Sequence, residues 1–201
     1  MHAILVHGMG RSSLSMAWLG LRLRLARHSV SYFSYSAAQE EFACCVSRLR
    51  KQIQACTKNK EYIVVGHSLG TVLLRCALAD QAHQPRATFL LAPPTQACAM
   101  AKRLSGWRLY RWLTGEMGQL LASADFMRRL PAPPKNAVIF AGCSGPRLHL
   151  LPYGVQANDG ILAVDETRLP GFETHVVPSI HTLIMNHPSV MQTICAARAE
   201  A

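Results

Sequence analysis

Apolar residues along this chain fall into short unbroken runs, separated by stretches in which they recur every three or four positions. Ala3-Ile4-Leu5-Val6 is one such run, closed by His7-Gly8, and reads as a strand buried on both faces. Ser12 and Ser13 are suited to cap a helix that runs to about His28 with its leucines on one face. Val30 to Tyr35 follows as a second strand. From Glu40 to Lys58, the residues Phe42, Val46, Leu49, Ile53 and Cys56 keep helical spacing. Tyr62-Ile63-Val64-Val65-Gly66 is a third strand, with a helix from Leu69 to about Ala82 directly behind it. Ala87–Leu91 and Ala137–Ala141 supply two more strands. His175-Val176-Val177 supplies the last, before a closing helix over Pro188–Ala199.

Strands alternating with helices imply a parallel sheet covered on both faces, and right-handed crossovers make it doubly wound. The expected fold is therefore α/β: a three-layer α/β/α sandwich around a mostly parallel sheet of roughly six strands. Residues 1–201 are read as a single domain, of which half the residues are apolar, enough to build one core. A long segment at about 92–134 interrupts the alternation and is expected to form a helical cap or lid.

Seven cysteines are scattered through the chain with no CxxC pair, which suggests neither a disulfide framework nor a zinc site. That usage fits a reducing compartment. No signal-peptide pattern opens the sequence, and no apolar run approaches the ~20 residues needed to cross a bilayer. The expectation is a cytoplasmic protein without a metal. The net charge of +10 attracts anions in general. The arginines are dispersed, without a nucleic-acid motif, so a solvated basic surface is expected first, peripheral contact with anionic membrane second, and nucleic acid last.

Chemistry concentrates where residues directly follow strands, because sites in such sheets form at the carboxyl ends of the strands. Gly66-His67-Ser68-Leu69-Gly70 matches G-x-S-x-G between a strand and a helix. A nucleophilic serine on a strained turn requires that context. Side chains at Gly66 or Gly70 are expected to collide with the neighbouring strand or helix. The Leu69 N–H, at the helix start, is placed to hold an oxyanion. In hydrolases built on this elbow the second donor comes from the loop after an earlier strand; here that is His7-Gly8-Met9-Gly10, with Met9 as donor. Read alone, either motif is an ordinary glycine-rich turn.

An acid and then a histidine are expected after the serine. Asp159, in the turn Asn158-Asp159-Gly160, is placed ahead of Asp165 and Glu166, with Asp80 and Asp125 set aside as helical. Its alternative reading is an Asx-turn aspartate without catalytic part. His181, separated from Val177 by Pro178-Ser179-Ile180, is preferred to His187 at the start of the closing helix; His149 and His175 are set aside.

Val6-His7-Gly8-Met9-Gly10, Val65-Gly66-His67-Ser68-Leu69-Gly70, Asn158-Asp159-Gly160-Ile161-Leu162 and His181 together resemble the small bacterial-type lipase and esterase branch of the α/β-hydrolase superfamily. The resemblance covers almost the whole chain. It implies a Ser68–His181–Asp159 triad that cleaves a small ester or lipid through an acyl-enzyme, with no cofactor. It also implies a minimal fold lacking two leading antiparallel strands. Thr71 departs from the pattern where many relatives carry glycine, and is expected to crowd the helix start slightly. An acyltransferase or thioesterase with the same triad, or a binding protein that lost turnover, are the competing readings.

Within the insertion, Ala101 to Leu113 mixes cations with Trp107, Leu109 and Trp112. Such a helix either lies on anionic lipid or packs its aromatics on the core. Gly106 weakens it as a continuous helix, which favours packing on the core.

Overall fold

The computed structural model describes residues 1–58, 60–79 and 81–197. Six parallel strands form one sheet in the order β2-β1-β3-β4-β5-β6, with β1 His2–Val6, β2 Ser29–Phe33, β3 Tyr62–His67, β4 Ala87–Leu91, β5 Ala137–Gly142 and β6 Thr174–Val177. Every residue of β3 is buried, as an apolar run in a central strand covered on both faces requires. Edge strands β2 and β6 are partly exposed.

The helices are α1 Ala17–Leu25, α2 Phe42–Thr57, α3 Leu69–Leu78, α4 Ala99–Leu104, α5 Arg108–Ala122, α6 Ala124–Arg128 and α7 Pro188–Ala196. α1 packs with α7 and α2 with α3, one pair on each side of the sheet, which gives the three layers. In α2 the buried stripe is Phe42, Cys45, Leu49 and Ile53, close to the expected one. Among the described residues no helix is long and apolar enough to cross a membrane.

Several expected boundaries shift for physical reasons. β2 stops at Phe33 because the Tyr35 N–H leaves the sheet to donate to His7 Nε2 at 3.3 Å. α3 ends at Leu78 rather than near Ala82, where the Gln84 side-chain amide donates to the Leu78 carbonyl at 3.1 Å. Ser12 does not cap with its side chain, and a 3-10 turn at Ser13–Met16 precedes α1. The α1 leucines occupy two faces, Leu19 and Leu23 inward, Leu21 and Leu25 outward. Asp80 and the end of the expected closing helix, residues 198–199, lie outside the described residues.

α4, α5 and α6 are the insertion between β4 and β5. The expectation that its aromatics pack on the core is overturned: Trp107, Leu109 and Trp112 are 63%, 63% and 75% exposed. α4 and α5 instead turn Ala101, Thr114 and Met117 inward, so the outer face is left to solvent.

Candidate active site

All six strands are parallel, so the loops leaving their carboxyl ends meet at one edge of the sheet. β1 and β3 are neighbours, with Val6 level with Gly66. This places the His7–Gly10 loop beside the turn from β3 into α3. Ser68 sits on that turn with φ 51° and ψ −123°, a backbone conformation that costs a non-glycine residue about 1–3 kcal/mol. Its N–H is held by the Leu91 carbonyl at 2.9 Å.

The elbow glycines are required sterically. A Cβ on Gly70 would lie 2.5 Å from the His7 carbonyl oxygen, and one on Gly66 would lie 2.7 Å from Leu74 Cδ1. The missing side chain at Gly70 lets the start of α3 lie against the end of β1, and the one at Gly66 lets α3 pack closely on β3. Thr71 fits without displacing the turn: it is fully buried, and its hydroxyl donates to the Ser68 carbonyl at 2.6 Å. Leu69 is the first residue of α3, so its N–H has no acceptor within the helix and stands at the positive end of the helix dipole.

Asp159 and His181 come together from the loops after β5 and β6. His181 Nδ1 lies 2.7 Å from Asp159 Oδ2, and both residues are buried. Asp159 Oδ1 accepts from the N–H groups of Ile161 and Leu162 at 2.9 and 2.7 Å. The aspartate thus also closes its own turn. A backbone bond from the His181 N–H to the Asp159 carbonyl, 2.8 Å, ties the two loops a second time. Neighbouring Asn158 is fully buried and holds the Asp159 loop, donating to the Pro146 and Gln156 carbonyls and accepting from Gly160. Among the described residues the Ser68 hydroxyl makes no hydrogen bond to His181. Catalytic hydrogen bonds are often long or poorly aligned until substrate seats.

The other candidates lie elsewhere. Asp165 and Asp125 pair with Arg168 and Arg128 on the surface. Glu166 accepts from the Ala99 and Ala163 N–H groups. His187 bonds Ser189 at the start of α7, and exposed His175 pairs with Glu173.

Three supporting residues were not marked for these roles by the sequence. His67 donates through Nε2–H to the His181 carbonyl at 2.9 Å, and the two rings lie 4.8 Å apart. Its Nδ1 is buried without a partner, so only the neutral ring fits. Burial, assisted by His181, holds its pKa well below the ordinary imidazole value. Tyr35 clamps the His7–Gly10 loop: its ring stacks on His7 at 4.4 Å and its hydroxyl donates to the His7 carbonyl at 3.0 Å. The same His7 donates from Nδ1 to the Gly8 carbonyl while accepting the Tyr35 N–H at Nε2. Only the neutral ring does both, and burial lowers the His7 pKa too. Gly142 ends β5, where a Cβ would lie 2.5 Å from the Ser179 carbonyl oxygen and 2.8 Å from Asp159 Cβ. A side chain there would push the Asp159 and His181 loops apart.

A cavity of about 120 Å³ opens at Ser68. Its wall is apolar, formed by Met9 of the loop after β1, Met100 and Leu104 of α4, Leu121 of α5, and Ile161 and Leu162 of the Asp159 loop. Cys98 also lines it. Burial pushes that thiol up to about 11, so it is a small apolar surface there rather than a nucleophile.

A model of the alpha/beta hydrolase family matches residues 3–188 of the chain. Among solved structures, the Bacillus licheniformis lipase BlEst2 in its mature form is similar with a TM-score of 0.69 and 15% identity, covering 96% of this chain and 91% of that one. The metagenomic carboxyl esterase MGS0156 is similar with a TM-score of 0.74 and 15% identity, over 97% of this chain and 74% of that one. Phospholipase PlaB from Legionella pneumophila gives a TM-score of 0.66 and 14% identity, over 84% of this chain and 46% of that one. At such identities the likeness is one of fold. No protein of curated function matches the sequence.

Proposed function

The chain belongs to the alpha/beta hydrolase family, and from that membership we propose that it is a serine hydrolase that cleaves carboxylic esters through an acyl-enzyme. The observation that carries the reading is the buried 2.7 Å contact between Asp159 and His181, at the sheet edge where Ser68 occupies a strained elbow.

In this mechanism Ser68 Oγ attacks the acyl carbon while His181 Nε2 takes its proton. Asp159 holds the imidazole with Nδ1–H toward the carboxylate and stabilises the imidazolium. The N–H groups of Met9 and Leu69 receive the oxyanion; a single such donor is worth about 3–4 kcal/mol in a well-studied protease. His181 then passes its proton to the departing alkoxide. Water, deprotonated by the same ring, releases the acid and restores Ser68. The cavity beside Ser68 would hold the acyl chain. Its volume of about 120 Å³ and its apolar wall suit a short acyl chain.

A fluorophosphonate probe tests the reading directly. The expected result is stoichiometric labelling of the unaltered protein and none of Ser68→Ala. Labelling that survives the substitution, or a folded protein that takes no label, would overturn the assignment.

A further inference from the structure

We propose that the outer face of the α4–α5 hairpin is a docking surface for an anionic lipid bilayer. The hairpin has two faces with different fates. Its inner face is committed: Ala101, Thr114 and Met117 are buried, and Leu104 and Tyr110 line the cavity at Ser68. Its outer face presents Trp107, Leu109, Trp112 and Leu113, all more than half exposed, within one stretch of seven residues. Isolated exposed leucines are ordinary, whereas a contiguous patch with two tryptophans marks an interaction surface.

The charge around the patch selects the occupant. Lys102, Arg103, Arg108 and Arg111 are exposed among these residues, and no acidic residue occurs between Ala92 and Gly115. Arg103 also donates to the Leu150 carbonyl. This brings the loop carrying Leu148 and Leu150, which are 54% and 76% exposed, against α4 and widens the apolar area. A second copy would bring the same cations face to face, so self-association is disfavoured. An anionic bilayer matches both components: tryptophan settles at the headgroup level, and each lysine or arginine near the surface strengthens binding about fivefold. The contact is peripheral, with α4 and α5 lying in the interface. The surface stands apart from the proposed chemistry of Ser68.

The test uses the Ser68→Ala chain, so that turnover of lipid plays no part. Trp18→Phe is added to leave Trp107 and Trp112 as the only tryptophans, since the chain has three. Vesicles of phosphatidylcholine alone and of phosphatidylcholine with an equal part of phosphatidylglycerol are compared at low and high salt. The expected result is salt-sensitive sedimentation with the anionic vesicles, accompanied by a blue shift of tryptophan emission. In the Trp18-containing background, Trp107→Ser with Trp112→Ser should lower partitioning at least tenfold. Arg108→Gln with Arg111→Gln should lower it about 25-fold, at about fivefold per cation. All four positions are exposed, and circular dichroism checks that the variants stay folded. Absence of binding to anionic vesicles at low salt, equal binding to neutral ones, or full binding by the tryptophan variant would overturn the proposal. So would preferential binding of a single-stranded oligonucleotide that the same substitutions abolish.

Discussion

The two carboxylate oxygens of Asp159 have separate partners: Oδ1 accepts from the Ile161 and Leu162 N–H groups, and Oδ2 faces His181 Nδ1. The Asx-turn reading and the catalytic reading of this residue are therefore compatible. They can be separated by Asp159→Asn, which keeps a carbonyl oxygen for the turn and removes the charge beside the imidazole. Its thermal midpoint is expected to stay within a few degrees of the unaltered protein, while kcat on a short-chain ester falls by about 10³–10⁴-fold. An active Asp159→Asn enzyme would remove Asp159 from the mechanism. The placement of Ser68, Asp159 and His181 was legible because each lies in a loop after a strand, where local sequence dictates a turn. The roles of His67 and Tyr35 were not, because their partners lie 114 and 28 residues away along the chain. A histidine within G-x-S-x-G carries no mark of which carbonyl it will meet.

At the scale of elements, strand and helix order was legible from periodicity, but the outward or inward orientation of the cap was not. α5 departs from helical geometry at Gly115, with φ 55° and ψ −146°, so 3.6-residue spacing across the insertion cannot be projected on one straight axis. Its first turns and its later ones face different surroundings: Trp112 is exposed while Met117 and Leu121 are buried. That division lets α4 and α5 line the cavity at Ser68, which the proposed function assigns to the acyl chain. Leu104 lines the cavity and is only partly buried, so truncating it enlarges the space at modest cost to the core. Leu104→Ala is expected to shift preference toward longer acyl chains, by about fourfold in kcat/KM for each further methylene buried. Leu104→Trp is expected to shorten it. A series of p-nitrophenyl esters from acetate to decanoate measures both, and an unchanged profile in both variants would place the acyl chain elsewhere.

For the molecule as a whole, the net charge of +10 makes further protonation costly to the compact state, and two buried histidines make it costly locally. Burial lowers the folded-state pKa of His67 and of His7 below the ordinary 6.5. Below that pH the unfolded chain binds more protons than the folded one, so their contribution to stability is complete above about pH 6.5 and lost as pH falls beneath it. Each histidine contributes a slope of at most about 1.4 kcal/mol per pH unit. Carboxylates give a separate arm at lower pH; for Glu40 the Ser36 N–H and Arg48 hold the carboxyl below its ordinary 4.5, so its contribution goes only beneath that value. Urea unfolding at pH 7.5, 6.0 and 5.0 is expected to show falling stability across the first interval and more steeply across the second. His67→Gln retains a side-chain donor for the His181 carbonyl and has no proton to gain, so its loss between pH 6.5 and 5 is expected to be smaller by one histidine's share. Parallel curves for the two proteins would mean that His67 accepts a proton in the folded state. The neutral tautomer that ties the elbow to the His181 loop would then not be what the fold requires.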